Sequence, residues 1–568
     1  MPTLSWIGKK AVENHHREVP FHLLKELPEL SVGDPGSGNL LVEGDNLLAL
    51  KALLPYYAGQ VKCIFIDPPY NTGEEKWKYN DNVNSPEIKD WLGDVVGGEA
   101  EDLTRHDKWL CMMYPRLTLL RLLLKEDGVI FICIDDNELS NLILLADSIF
   151  KEQNRLAVLV WEKGKKGDST FFSKTHEYIL VYAKSKSTLV SLKTKWKRHK
   201  QGVDKVLAYY SSLKEIHGNH HDIIHIEMMK WYKSLKKGDP AKAHKHYKWS
   251  DERNLYFAAD LSGPDDGRKN RPRYDIPHPL TGKSCKKPST GWRWEEPTTK
   301  EEWAEMLSYV HFGPDETTIP CRKTYLYEVN QEPFPSVFYK DGRAATLLLE
   351  NIIGKNKFEY PKDPEIIAEL INMTTKSKDI VFDSFAGSGS TGHAVLKLNN
   401  EIPDSERKFV LIELDNEIAR NVTRKRLGNI INREATITQR GMGFRYSILG
   451  DSLFDEKGDI RNTVRFADLA RHVYFTETGE PIHKQAKLNN PLIGVCRDVG
   501  VYLLYNGILK DKTPDGGNVL TTAVLSHLPK HKGPKVIYGT ACRLGANRLR
   551  QEKITFKQLP YKIRVDAL

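Results

Sequence analysis

The tetrapeptide Asp67-Pro68-Pro69-Tyr70 directly follows the apolar, β-branched run Val61–Ile66. A short apolar run that ends at prolines reads as a buried strand. A carboxylate at the carboxyl end of a parallel strand sits where open α/β sheets place their ligands. Two successive prolines fix the backbone and carry no N–H, so the loop presents carbonyl oxygens without neighbouring donors. Asp67 and the Pro68 carbonyl can together accept both hydrogens of an exocyclic NH2, and Tyr70 offers a flat face on which an unpaired base can stack. Such a nitrogen, in adenine for example, is a poor nucleophile because its lone pair is delocalised into the ring. Hydrogen bonds that draw it toward tetrahedral geometry localise that pair on an incoming methyl group. This is catalysis by orientation and electrostatics, with no covalent intermediate. Taken alone, the same residues also read as a proline-stiffened turn.

A second constellation follows more than three hundred residues later. Asp383-Ser384-Phe385-Ala386-Gly387-Ser388-Gly389-Ser390-Thr391-Gly392 comes directly after the run Asp379–Phe382 and opens a helical pattern. Glycines there allow a tight turn and close approach of a cofactor to backbone. About twenty residues further on, after another strand pattern, Glu413 is placed to accept from ribose hydroxyls. Gly387, Gly389 and Gly392 also satisfy G-x-G-x-x-G, so a dinucleotide-binding domain competes, and a close helix–strand contact is the plain structural reading.

Both constellations need a sheet to carry them. Apolar runs at Asn39–Val42, Val61–Ile66, Gly128–Ile134, Leu156–Trp161, Tyr178–Tyr182, Asp379–Phe382 and Phe409–Leu414 read as buried strands. Helical patterns at Trp109–Lys125, Glu138–Phe150, Pro364–Thr374 and Glu417–Ile431 alternate with them. Alternation of this kind predicts a doubly wound, mostly parallel α/β sheet. Between residues 186 and 335 the pattern gives way to a Lys/Arg-rich stretch interleaved with Trp and Tyr, dense in Gly and Pro after Ser262. The expected organisation is therefore residues 1–185 with the tetrapeptide, an inserted domain over 186–335, and 336–450 with the glycine loop. A small carboxyl-terminal α/β module over 451–568 follows, with strand-like runs at Val501–Tyr505, Lys535–Tyr538 and Ile554–Phe556.

With 568 residues the chain exceeds what one core serves. Apolar residues at 40% and charged residues at 28% are ordinary for a globular protein. No apolar stretch approaches the length of a membrane span, and the first thirty residues hold charges and histidines in place of a signal core. Seven scattered cysteines without a C-x-x-C pair read as reduced thiols. A cytoplasmic protein without membrane attachment is expected. The net charge of +9 permits a polyanionic ligand without requiring one.

Asp-Pro-Pro-Tyr together with Phe-x-Gly-x-Gly resembles the signature pair of the DNA amino-methyltransferases. The order, tetrapeptide first and glycine loop last, resembles their β group, in which a target-recognition domain lies between the two. Asp67-Pro-Pro-Tyr-Asn-Thr-Gly73, Trp109-Leu110 with Pro115-Arg116-Leu117, Ile134-Asp135-Asp136-Asn137-Glu138 and Gly291-Trp292-Arg293-Trp294 look like the Mod subunits of type III restriction–modification systems, a likeness that covers residues 38–450. The resemblance implies a Rossmann-like fold using S-adenosylmethionine, with a methyl group passed directly to N6 of a flipped adenine in double-stranded DNA. It implies catalytic roles for Asp67, Pro68, Pro69 and Tyr70, and cofactor contacts at Asp383, Phe385, Gly387, Gly389 and Glu413. Gly44-Asp45 resembles the segment whose acid faces the cofactor adenine, and Phe358, Pro361 and Lys362 the segment that borders its methionine. Lys362-Asp363-Pro364 stands where Lys-Pro is usual, and Ser384 where Pro is frequent. Asn71, Phe171, Phe172 and His176 resemble residues lining the target-base pocket, although Phe171-Phe172 reads equally as a core pair. A homodimer and a helicase–nuclease partner subunit are further implications. No metal is called for. Cytosine-N4 transfer by the same geometry and a recognition subunit serving a nuclease are the alternatives, and Ser in place of Asp67 is commoner in the cytosine branch.

Two further patterns fall in the inserted stretch. His217, His220, His221 and His225, with Asp222, have helical spacing that suits a metal face or, more plainly, a polar surface. Lys193–Lys200 and Lys230–Lys248 surround Trp196, Trp231, Tyr232 and Tyr247, with Trp249 just after, a mixture suited to phosphate contact and base stacking.

Overall fold

A computed structural model describes residues 4–73, 100–164, 171–268, 270–434, 442–455, 460–482, 490–506 and 517–559. The chain divides into two compact units, Met1–Lys195 with Pro335–Leu568, and Trp196–Phe334.

The first unit is built on one large sheet. Its strands are His22–Glu26 (β1), Leu40–Glu43 (β2), Val61–Ile66 (β3), Leu124–Ile134 (β4), Arg155–Glu162 (β5), His176–Ala183 (β6), Val337–Tyr339 (β7), Ile380–Asp383 (β8), Lys408–Glu413 (β9) and Gly443–Ser452 (β10). They run side by side in the order β1-β10-β2-β9-β8-β3-β4-β6-β5-β7, with Val32–Gly33 pairing onto β10. The stretch from β10 to β4 is parallel throughout, and β1 and β6 are the antiparallel additions on either side. From the central pair the chain winds outward in both directions, from β3 to β4 and from β8 to β9. The β3/β8 boundary is thus the switch point, whose carboxyl-end crevice is where open α/β sheets bind ligands.

The strands are apolar on both faces because both are covered. Ile64, Ile66, Ile130 and Ile132 belong to the core built with the helices Asn46–Tyr57 (α1), Ala100–Leu123 (α2) and Leu139–Phe150 (α3), which pack against one another. Cys63, Phe65 and Phe131 are equally buried and alternate to the other face. The helices Pro364–Thr374 (α4), Ser390–Glu401 (α5) and Arg424–Glu434 (α6) form the second layer. There the Cα of Gly392 comes so near the sheet that a Cβ would meet Leu411 at 2.9 Å.

Two elements depart from the sequence pattern. The helix expected at Trp109–Lys125 runs Ala100–Leu123, because Leu124 is buried and opens β4 opposite Val61. The helix expected at Glu417–Ile431 is interrupted by a π-helical turn, Ala419–Thr423, before α6. Periodicity cannot register one extra residue in a turn, and such turns favour functional sites.

Beyond β10 the helix Phe466–Thr478 (α7) packs on α1, and its Leu469, Val473 and Phe475 join the same core. Leu492–Cys496, Val499–Leu503, Lys535–Gly539 and Ile554–Gln558 form a separate four-stranded sheet. The described residues beyond β10 thus include a sheet of their own yet share the core of the first unit. Among the described residues no helix is long and apolar enough to cross a membrane.

The second unit holds the helices Val203–His217 and His221–Ser234, and a four-stranded antiparallel sheet ordered Val310–His311, Cys321–Tyr325, Leu255–Asp260, Trp249–Ser250. Val206, Tyr210, Met228 and Tyr232 form its main core, and Trp292 centres a smaller one with Tyr274 and Ile276.

Candidate active site

Strands β3 and β8 are hydrogen-bonded neighbours, with Ile64 opposite Phe382. Their carboxyl ends therefore bring Asp67 and Asp383 to one crevice. A cavity of about 390 Å³ opens there. Asp67 and Pro69 form one side of it, Phe385 to Ser388 with Asp383 and Glu413 the other, and Phe358, Tyr360 and Lys362 a third.

The tetrapeptide loop is tied from beneath. The Trp109 indole donates to the Pro69 carbonyl at 2.8 Å. Asn71 stands at φ +59°, a left-handed conformation that asparagine tolerates. Its amide donates to the fully buried Glu138 carboxylate and, at 3.3 Å, to the Arg105 carbonyl. Glu138 also binds His106 Nδ1 at 2.6 Å and Asn141 Nδ2 at 2.8 Å.

Asp67 is held by the Lys362 ammonium and also interacts with the Tyr70 hydroxyl. Its Oδ2 lies 2.8 Å from Lys362 Nζ, while Oδ1 is buried without a hydrogen-bond partner. The same ammonium lies 3.4 Å from Glu177 Oε2 and 4.9 Å from the centre of the Tyr70 ring. Tyr70 donates its hydroxyl to Glu177 Oε2 at 3.0 Å, and Lys163 pairs with Glu177 Oε1. Burial alone would raise the Glu177 carboxyl, but the ammonium groups of Lys362 and Lys163 hold it below the ordinary range. Burial likewise opposes the charge on Lys362, yet Asp67 and Glu177 hold it above the usual lysine range, so it is an ammonium. Two anions and two cations thus neutralise one another beside the cavity.

The glycine loop is held with equal economy. Gly387 and Gly389 stand at φ +50° and +78°, and a Cβ on Gly387 would come within 3.2 Å of the Phe358 ring. The Gly387 N–H donates to Glu413 Oε2 at 2.7 Å, and the Asp415 N–H to Oε1 at 2.9 Å. Asp383 accepts from the Phe385 N–H at 2.9 Å and the Thr391 hydroxyl at 2.6 Å. Burial pushes its carboxyl up to about 7, and the charges of Asp67 and Glu413 act in the same direction. The π-helical turn brings Thr423 Oγ1 to 2.6 Å from the Gly387 carbonyl. Arg426, fully buried, donates to Ser388 Oγ and Ser390 Oγ at 2.9 Å each, and burial lowers it to about 9.

The same stretch of chain matches the DNA methylase family model over residues 61–424. The chain belongs to the DNA methylase family. It is 34% identical over 428 residues to the type III restriction–modification enzyme EcoP15I Mod subunit of Escherichia coli, covering 73% of this chain and 64% of that one. It is 29% identical over 533 residues to the EcoPI Mod subunit of Escherichia phage P1, covering 84% and 74%. To the StyLTI Mod subunit of Salmonella typhimurium it is 31% identical over 438 residues, covering 74% and 58%. The match to the first of these relatives spans less than two thirds of that relative's length.

The cavity gathers Asp67, Pro69, Phe358, Lys362, Asp383, Phe385, Gly387 and Glu413 from the residues the sequence singled out. Tyr70 is linked to it through Glu177 and Lys362, whereas Pro68 is not among its walls. Lys362 does border the cavity, but its ammonium is spent on Asp67 and Glu177, not on the glycine loop. Asp45 caps α1, accepting from the N–H groups of Leu47 and Leu48 at 2.8 and 3.1 Å, and stands outside the cavity wall. None of the four residues expected around a target base lines this cavity. Asn71 is buried under the loop, Phe171 and Phe172 are each 90% exposed and so form no core pair, and His176 Nε2 bonds the Tyr178 hydroxyl at 2.9 Å.

Residues whose roles the sequence did not show are Glu177, Lys163, Glu138 and Arg426. Each acts through a contact between distant elements, and the signals were the adjacency of Glu177 to His176 and the place of Glu138 at the end of the Ile134–Glu138 motif. In the second unit, His221 binds Ser250 Oγ and His225 binds the Lys248 carbonyl while stacking on Trp249 at 3.8 Å, so these two rings face a strand. Tyr232 and Tyr247 are buried in the core and unavailable for base stacking, whereas Trp231 and Trp249 are partly exposed and Lys230, Lys233, Lys236 and Lys237 are exposed.

Proposed function

We propose that the protein is a site-specific DNA methyltransferase that uses S-adenosylmethionine to methylate N6 of adenine in double-stranded DNA. Asp67 carries this reading: it stands on the wall of a cavity whose other wall is a glycine loop, and its Oδ1 is a buried acceptor without a hydrogen-bond partner. A lone buried acceptor is costly unless a ligand donor meets it. The cavity also suits the cofactor. The Asp383 carboxyl borders a space bounded by Phe358, Tyr360 and Phe385, a set fit for a cation with an apolar body. When bound, S-adenosylmethionine supplies an electrophilic methyl group on a sulfonium.

The remaining work belongs to the chain. Glu413 and Asp383 brace the glycine loop, and Glu413, on the cavity wall, is the acid that would meet the ribose hydroxyls. The Asp67 carboxylate accepts one hydrogen of the target amino group, and the prolines keep the loop rigid while it does so. Tyr70, aimed by Glu177, supplies the stacking face that offsets the few kcal/mol of unpairing a base. The unit Trp196–Phe334 serves as the target-recognition domain, with its exposed lysines on phosphates, and Phe171, Phe172 and His176 meet DNA from outside the cofactor cavity, whereas the buried Asn71 anchors the catalytic loop. Residues 451–568 serve as an accessory module. The protein works in the cytoplasm as a homodimer and as the modification component of a restriction–modification system, beside a separate helicase–nuclease subunit. The similarity to three Mod subunits supports this assignment.

The test is a mass-spectrometric count of methylated nucleosides after unmethylated bacterial DNA is incubated with purified protein and S-adenosylmethionine. N6-methyladenine is expected. N4-methylcytosine alone would overturn the substrate, and no methylated base would overturn the activity.

A further inference from the structure

Lys362 joins the two halves of the site at both of its ends. Its backbone carbonyl accepts from the Ser390 hydroxyl at 2.7 Å, and Ser390 is in turn held by Arg426. Its ammonium reaches across the crevice to Asp67 Oδ2 at 2.8 Å and Glu177 Oε2 at 3.4 Å. The side chain is only 8% exposed, so the pairing is screened little by solvent. Glu177 is itself fixed by Tyr70 and Lys163.

We propose that Lys362 is a positioning residue for methyl transfer: by pinning Asp67 Oδ2 against Glu177, it fixes the orientation of the carboxylate that accepts from the target amino group. The role rests on the methyltransferase reading above. An aspartate side chain has two torsions and, untethered, distributes both oxygens over several orientations. Here one oxygen is taken by a fixed cation, and the other is the buried, unpartnered acceptor. Glu177 serves as the counter-anchor. Without it the ammonium would be free to follow Asp67, and the Tyr70 hydroxyl would lose its acceptor. Because the carbonyl of the same residue rests on the helix that follows the glycine loop, the acceptor is set in register with the cofactor side of the crevice.

The sequence placed Lys362 at the cofactor, and the two roles separate experimentally. Lys362→Met, Glu177→Gln and the double variant are compared with wild type in kcat for DNA methylation, and in S-adenosylmethionine affinity measured by calorimetry without DNA. Lys362→Met is expected to lower kcat by about a hundredfold, the scale for a misplaced reacting group, with cofactor Kd within about threefold of wild type. Glu177→Gln should lower kcat by about tenfold, and the double variant should be no worse than Lys362→Met alone, because both changes release the same carboxylate. A kcat near wild type in Lys362→Met, strictly additive losses, or a cofactor Kd that weakens in step with kcat would each overturn the role. Should Lys362→Met lack a cooperative melt, Glu177→Gln decides, and an unchanged kcat there refutes the proposal. A wild-type protein that methylates nothing removes the underlying reading instead, and is distinguished by equal silence in every variant.

Discussion

Asp67 and Asp383, 316 positions apart in the chain, stand at the carboxyl ends of adjacent parallel strands, because Ile64 pairs with Phe382 at the switch point of the sheet. The two carboxylates have opposite surroundings. Asp383 takes a backbone N–H and a hydroxyl, whereas Asp67 keeps one buried oxygen without a partner. The first braces a loop and the second awaits a donor. Asp67→Ala should therefore lower kcat by about a thousandfold, the scale for losing a preorganised electrostatic contact, while leaving cofactor affinity within severalfold. Methylation assays on DNA and calorimetry with S-adenosylmethionine check the two halves. Activity retained in Asp67→Ala would remove the residue from the mechanism.

Gly389 is the residue from which α5 starts, at φ +78°, and a Cβ there would lie 3.0 Å from Thr423 Cγ2. An L side chain in this conformation costs about 1–2 kcal/mol before any clash is counted. Thr423 cannot retreat freely, since its hydroxyl is bonded to the Gly387 carbonyl. Gly389→Ala should thus distort the loop and weaken cofactor binding by about tenfold, with little change in DNA affinity. Equal cofactor affinity in the variant and wild type would show that the loop tolerates the shift.

The two motifs were legible because each is local. A carboxylate followed by prolines, or glycines between a strand and a helix, declares its chemistry within ten residues. The sheet was legible for a related reason: β3, β8 and β9 are largely buried on both faces and read as apolar runs broken only at Lys62 and at the end residues of the strands. What stayed hidden depends on strand order. Glu177 lies at the start of β6 and Lys163 just past β5, and nothing in their spacing says that this antiparallel pair brings them to Asp67. Lys362 was visible as a residue, but its partner was not, because that contact needs the crevice to exist. Asn71 misled for the converse reason. It adjoins the tetrapeptide, yet its left-handed backbone turns its amide away from the cavity and down to Glu138.

Glu138 is a buried hub with three donors, Asn71, His106 and Asn141. Replacing one carboxylate oxygen by NH2 sets a donor against a donor in a fully buried site. Glu138→Gln should destabilise the fold by about 2–3 kcal/mol, the cost of an unmatched buried polar group. It should also lower kcat, because Asn71 no longer anchors the loop that carries Asp67. Thermal melts and methylation rates check both effects. A melt identical to wild type would show that Glu138 is dispensable to the loop.

Burial holds the Asp383 carboxyl up near 7, so the folded protein binds this proton more tightly than the unfolded chain does. Its contribution to stability is therefore fully present below the ordinary aspartate range and is lost as pH rises through about 7. A bound cation reverses the preference, since a positive group in the cavity favours the carboxylate. Binding of S-adenosylmethionine should then release a proton and tighten as pH rises from 6 toward about 7, levelling above that value. Asp383→Asn has no proton to release, and its cofactor affinity should be flatter with pH over the same interval. Calorimetry in buffers of differing ionisation enthalpy measures the released protons directly. Equal proton release in the wild type and Asp383→Asn would assign the titration to another group.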